Sequence, residues 1–442
     1  MTLHDTNHGY TREEILAATA RPVPAIVKTA SLVLAAIGLL VFVIGLFVAP
    51  DRAWRALHFN WLFFTFLSSG GIMFVASQRI VTARWSRPVI RFMEGYVAFL
   101  PAAFVILLAE VLLGRRHIFA WAIARPTVTE KAQWLDPGFF TLRVLGIFLV
   151  WTLLSLWFVY TSVRLDVILS PEAGAPWARG LRARMRRALR EERREIHSTH
   201  SLQGKLAVVM ALLFAYGFSV LSWDLSMSID LHFQSTLFGW WEFMGGWLCG
   251  LMLLALLTLW WRRHLDAYDL IGENHFHDIG KLCFAFTAFW GYLTFGQYLV
   301  IWYGNMAEET HYFRRALIQP WKPIGLAVVW FAFVLPFFGL MSKYAKLYKP
   351  TLVLFSAVSL LGMWLCRYLE VYSPLYGVPN GLPFGLWELG LTLGYVGLWG
   401  LCYASFMDAF PRMRVTLMTS PFRDEIQVPV DPKTMEPLPA HE

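Results

Sequence analysis

Ionisable residues stand inside or at the rims of long apolar runs, among them Glu94, Glu242, Asp278, Lys281, Arg367, Glu370 and Glu388. A charge in a bilayer core costs about 2.5–3.5 kcal/mol on insertion scales, so such residues turn inward, pair, or mark proton and ion paths. Asp278 and Lys281 are three residues apart and therefore share a helix face, as do Arg367 and Glu370. Glu242 lies one to two turns inside its run, and a short carboxylate there cannot reach far toward water. Asp278 and Lys281 are expected to form one mouth of a proton path, with Glu94 close by. The alternative is an interfacial ion pair that only anchors its helix. Arg367 and Glu370, with Glu388 nearby, read equally as a structural ion pair.

A second constellation is the connection 222–235, which has no Lys or Arg and includes Asp224 and His232. An acid–histidine pair beside an apolar cavity can bind a quinol head group and accept its protons. The plainer reading is an ordered loop with Asp224 as a cap, and it is favoured. The remaining histidines lie in tails, in loops or at the ends of apolar runs. An intrinsic haem, which needs axial ligands facing each other within a bundle, is therefore not expected. Cys249, Cys283, Cys366 and Cys402 are isolated, with no CxxC, so metal ligation is not expected either. They read as packing residues.

These residues need elements to position them. The 442-residue chain is 57% hydrophobic and 15% charged, against about 25% charged in soluble domains. A span needs about 20 apolar residues. Ten segments meet that requirement, at 25–49, 58–78, 91–114, 139–163, 205–224, 235–261, 278–304, 323–342, 350–372 and 384–410. The fold class is all-α, a polytopic membrane protein. The stretch 171–204, rich in Arg and Glu, is expected to be an amphipathic helix on an anionic membrane face. Residues 1–24 lack an apolar signal region, so the first segment itself is expected to direct insertion. Residues 411–442 read as a tail. The net charge of +8 comes from loops beside apolar segments, which argues against nucleic acid. Connections on the side of the termini carry 27 Lys and Arg, and the opposite connections carry 9. By the positive-inside bias both termini are expected in the cytoplasm.

A weak repeat runs through the chain. His58-Phe59 and Gly70-Gly71 of segment 2 correspond to His232-Phe233 and Gly245-Gly246 around segment 6. Gln133-Trp134-Leu135-Asp136-Pro137-Gly138 before segment 4 corresponds to Gln319-Pro320-Trp321-Lys322-Pro323 before segment 8. An offset of four helices gives parallel copies. The expected organisation is a first helix with its connection (25–57), two four-helix bundles (58–224 and 225–372) and a last helix (373–410).

The run from Phe276-His277-Asp278-Ile279-Gly280-Lys281 to Trp290-Gly291-Tyr292 continues through Phe295-Gly296-Gln297-Tyr298 and Ile301-Trp302-Tyr303-Gly304-Asn305 to Glu308-Glu309-Thr310. With Ser222-Trp223-Asp224 through His232, it resembles the ActF-type subunits of bacterial alternative complex III, in the NrfD-like integral membrane family. The resemblance spans nearly all ten segments and ends in the tail. It implies two four-helix bundles within ten helices, in a bacterial cytoplasmic membrane. It also implies a complex that passes electrons from quinol through iron–sulfur clusters and c-type haems to cytochrome c or a terminal oxidase. Those cofactors belong to partners: an iron–sulfur/molybdopterin-like subunit and c-type cytochrome subunits, beside an ActC-like membrane subunit assigned the quinol site. The ActF-type subunit has no established cofactor and is a candidate for proton translocation. Asp278 and Lys281 fall in the matching run and gain weight as proton-path residues, whereas a quinol site at Asp224 and His232 loses it. The rival readings are a self-contained secondary transporter, which paired mid-membrane breaks near Pro101 and Pro336 would favour, and a purely structural scaffold.

Overall fold

In the computed structural model, ten helices are long and apolar enough to cross a membrane. They are α1 (Ala25–Val48), α2 (Pro50–Ile80), α3 (Ile90–Ile118), α4 (Pro137–Ile168), α5 (Arg194–Ile229), α6 (Phe238–Leu265), α7 (Glu273–Gly304), α8 (Lys322–Gly339), α9 (Lys349–Tyr372) and α10 (Leu386–Ala409). The structure describes residues 13, 15–16, 21–124, 126, 129–169, 174–186, 192–376, 381–415 and 418, and no strand occurs among them. The face at which α1 begins and α10 ends is termed the near face. There Lys28 pairs with Asp408, and Arg262 and Lys349 both reach Glu273. At the far face Arg52, which opens α2, pairs with Glu388, which opens α10.

Helix α2 is the axis of the fold, because its apolar window is wholly buried. It packs against α1, α3, α5, α6, α9 and α10. A helix so enclosed can carry polar groups, provided each finds a partner. For three of them the partner is an indole. Trp364 Nε1 donates to Asn60 Oδ1 (3.1 Å), Trp399 to Ser68 Oγ (3.0 Å) and Trp151 to Ser69 Oγ (3.0 Å). By contrast α1 packs mainly on α10 and exposes a stripe including Leu32, Leu39, Leu40 and Phe47, as a lipid-facing helix does.

The paired glycines seen as repeat markers lie where two of the elements meet. A Cβ on Gly70 would lie 2.5 Å from the Trp247 nitrogen, and one on Gly246 would lie 2.5 Å from the Phe66 carbonyl oxygen. Without side chains, α2 and α6 approach backbone to backbone, the usual device for helices that have no hydrophobic drive to associate in lipid. Helices α2–α5 contact one another, and α6–α9 do likewise.

Helices α3 and α8 adjust around their prolines without unwinding. A 3₁₀ stretch, Gly95–Phe99, precedes Pro101, and the Leu100 N–H takes the Val97 carbonyl that proline cannot. In α8 a π-turn, Val329–Val334, precedes Pro336. Both follow from the missing proline donor and the clash of its ring with the carbonyl four residues earlier.

Two expectations about the polar segments change. Residues 171–204 are not one surface helix. They contain a short helix, Arg179–Met185, and then the first turns of α5, while 170–173 and 187–191 lie outside the described residues. Arg182, expected at a lipid surface, is buried and donates to the carbonyls of Ala175 and Ala409, both at 2.9 Å. It thus satisfies a carbonyl at the end of α10. The stretch after α10 does not start as a free tail either: Arg412 and Arg414 are buried. Residues 419–442 lie outside the described residues.

Candidate functional site

Glu242, in the first turns of α6, meets Arg367 and Glu370 of α9. Arg367 Nη1 pairs with both carboxylates, lying 2.6 Å from Glu370 Oε2 and in close contact with Glu242 Oε2. Its Nη2 donates to the Glu242 carbonyl oxygen at 3.3 Å. Around Glu370, the Cys366 thiol and the Ser226 hydroxyl donate to the two carboxylate oxygens, each at 3.2 Å. The guanidinium also lies over the rings of Trp241 (5.6 Å) and Phe66 (6.0 Å). All three charged side chains are at most 3% exposed, and Glu242 Oε1 has no hydrogen-bond partner in the protein.

The chemistry follows from the count of charges. Arginine stays protonated, and one guanidinium cannot neutralise two carboxylates. In a medium of low dielectric the cluster is neutral only if one carboxyl carries a proton. Glu242 and Glu370 therefore form a proton-binding pair fixed by one cation. The sequence marked all three residues but kept Glu242 apart from Arg367 and Glu370; the fold brings them together.

Tyr312 lies within electrostatic range of both this cluster and Asp230. Tyr312, in the helix Ala307–Leu317, stacks on Phe233 with ring centroids 3.9 Å apart. Burial pushes its phenol well above its ordinary value, and the negative charges of Glu370, Glu242 and Asp230 push it further, so it stays a donor. Asp230 is buried and accepts from His311 Nε2 and Arg315 Nη1, both at 2.8 Å. The acid–histidine pair at this face is thus Asp230 with His311, not Asp224 with His232. Asp224 is tied instead to Arg143, through Nε at 2.7 Å and Nη2 at 2.8 Å, and to Trp134 Nε1 at 2.9 Å. His232 is exposed, and only its backbone N–H reaches Asp230, at 3.2 Å.

Glu94 pairs with neither Asp278 nor Lys281. Its carboxylate meets Arg91 (2.7 Å), the Ser162 hydroxyl (2.8 Å) and Arg414 (3.7 Å), while Arg91 also pairs with Asp166. Among the described residues two carboxylates here face two guanidiniums, so their charges balance. Burial draws the Arg414 guanidinium down from its ordinary value, while Glu94 and Asp166 pull it back up. Asp278 and Lys281 do pair, at 2.6 Å, but the Lys281 side chain is 54% exposed. Helix α6 packs against both the start of α3 and α7. Glu388 joins neither cluster: it takes two hydrogen bonds from Arg52 (2.6 and 3.0 Å) and one from Tyr372 (2.9 Å), bolting α10 to α2 and α9.

One histidine contradicts the placement of histidines at helix ends. His58 lies inside α2 and is fully buried. Its Nε2 is 2.8 Å from the Leu225 carbonyl oxygen and its Nδ1 is 2.9 Å from Glu110 Oε2. A carbonyl only accepts, so Nε2 bears a hydrogen; one further proton then sits between Nδ1 and the carboxyl, and the pair is neutral whichever atom holds it. Glu110 opens a π-turn in α3, Glu110–Gly114, a distortion often found at functional positions. Both ring nitrogens are taken, so His58 offers no free ligand atom. Among the described residues no group of three or more His, Cys, Asp or Glu could hold a metal ion. No family model matches the chain, and no curated protein matches it.

Proposed function

We propose that this chain is an integral membrane subunit of a quinol:electron-acceptor oxidoreductase complex of the alternative complex III type, and that it carries protons rather than electrons. The reading rests on one observation above the rest: two carboxylates, Glu242 and Glu370, share one guanidinium inside the membrane span. A structural ion pair needs no second carboxylate, whereas a proton relay needs a group that can gain and lose a proton at small cost. The contrast with the balanced cluster around Glu94 supports the assignment.

In this reading a proton held between Glu242 and Glu370 leaves toward the far face by way of Tyr312 and the Asp230–His311 pair. On the near side, Thr65 of α2, Thr152 and Ser155 of α4 and Thr258 of α6 are buried hydroxyls with no hydrogen-bond partner in the protein. They offer polar steps at mid-helix positions for a water-assisted transfer. Electron transfer belongs to the partners: a second, ActC-like membrane subunit, an iron–sulfur subunit and c-type cytochromes. The 27-to-9 asymmetry of Lys and Arg supports a near face toward the cytoplasm, and the bacterial cytoplasmic membrane follows from the resemblance.

Purification in mild detergent, with identification of co-purifying subunits, tests the complex. Reconstitution into vesicles tests the path. Glu242→Gln is expected to keep electron transfer and lose proton pumping, with Glu242→Asp restoring part of it. Pumping that survives Glu242→Gln undiminished defeats the relay.

A further inference from the structure

At the near face, the end of α2, the connection to α3, the first turns of α5 and the chain after α10 line a partly open cavity of about 70 Å³. Arg79, Arg87, Arg414 and His200 line it, with Gln78 and Gln203, and no acidic residue does so among the described residues. At roughly 10–15 Å³ per water, such a space holds a handful of waters or one tetrahedral oxyanion.

Two of these arginines, Arg79 and Arg414, each keep a buried donor that the protein does not use. Arg414 is 6% exposed, and the Nε atoms of both Arg79 and Arg414 are buried with no hydrogen-bond acceptor in the protein. Arg79 Nη2 donates to the His200 carbonyl at 2.7 Å, which fixes the plane of its fork. Arg414 pairs with Glu94 through Nη1, at 3.7 Å, which leaves its Nε for a further acceptor. Arginines gathered around one narrow recess repel and lose part of their hydration, and a multivalent oxyanion relieves both costs. Arginine forks match the paired oxygens of a phosphate group better than a single chloride does.

We propose that this cavity is a binding site for a phosphate-type oxyanion, presented either as the head group of an anionic phospholipid of the near leaflet or as a free phosphate. The inference stands apart from the proton relay.

The whole chain, or the complex that contains it, serves for the test. One arm compares inorganic phosphate with chloride at equal ionic strength and reads the thermal midpoint. The other offers phosphatidylglycerol or phosphatidylcholine and reads retained lipid by native mass spectrometry. A phosphate-specific rise identifies a free anion site. Retention of phosphatidylglycerol over phosphatidylcholine by about tenfold or more identifies a head-group site. Arg414→Gln abolishes the response. Ala83→Glu, which brings a carboxylate to the cavity wall, abolishes it while leaving the fold at least as stable, and so separates lost binding from lost folding. If phosphate acts no differently from chloride and the two lipids are retained alike, or if the response survives both substitutions, the proposal is overturned.

Discussion

The Arg367 guanidinium occupies space that only a glycine at position 245 leaves open: a Cβ there would lie 3.0 Å from Nη2 and 2.5 Å from Met363 Cε. Gly245→Ala therefore pushes the Met363 methyl aside and crowds the cation that both carboxylates share. The expected loss is about 1–3 kcal/mol, as for other overpacked sites, read as a lowered thermal midpoint in detergent. A midpoint equal to that of the native chain removes the steric argument.

Arg367→Met leaves two buried carboxylates without their cation. Breaking a buried pair from one side costs about 3–5 kcal/mol. Adding Glu242→Gln and Glu370→Gln is expected to restore much of the lost folded yield, because the triple variant buries no charge. Equal yields for the single and the triple variants count against the charge count given above.

Asp278→Asn combined with Lys281→Met is expected to change little. Exposed pairs contribute about 0–1 kcal/mol, and this pair touches neither buried cluster. Proton pumping in vesicles should match the native complex. A loss of pumping with assembly intact makes the pair the mouth of the path after all.

His58→Phe removes the only donor to the Leu225 carbonyl from α2 and strands Glu110. A buried polar group left without a partner costs about 1–3 kcal/mol, more if charged. His58→Phe should lower the thermal midpoint clearly more than His232→Phe, since His232 is exposed. Equal effects would mean that the His58 contacts contribute nothing.

Reporter fusions at the C-terminus and in the Arg179–Met185 helix should both give cytoplasmic signals. A periplasmic signal from either one reverses the orientation drawn from the Lys and Arg distribution.

Helix number and order were legible because apolar runs of bilayer length leave little choice of structure. Boundaries were not legible where charge enters a helix. Asp51, Arg52 and Arg55 interrupt the apolar run, so hydropathy alone begins segment 2 eight residues late and puts His58 at a helix end. The same charges are tolerable because Arg52 has Glu388 and Arg55 has the His117 carbonyl, partners hundreds and tens of residues away. The candidate site divides in the same manner. Arg367 and Glu370 share a helix face, which spacing reveals. Glu242 and Arg367 are 125 residues apart, and nothing local in either helix announces their contact. Asp224 and His232 looked like partners because they are close in sequence, but the turn at Ser226–Asp230 separates them and gives Asp230 to a histidine 81 residues on.

The complete enclosure of α2 has a consequence for how the molecule is made. Only Ala49 separates it from α1, so the two leave the ribosome as one hairpin. At that moment Asn60, Ser68 and Ser69 face lipid, and the indoles that will receive them, Trp151, Trp364 and Trp399, do not yet exist. The last of these arrives only with α10, at the close of translation. Until then the newborn chain holds its future axis in the wrong solvent, and surveillance proteases of the membrane have their best opportunity. Substitutions on the polar side of α2 should thus be felt first as degradation during synthesis, before any effect on the finished protein can be measured.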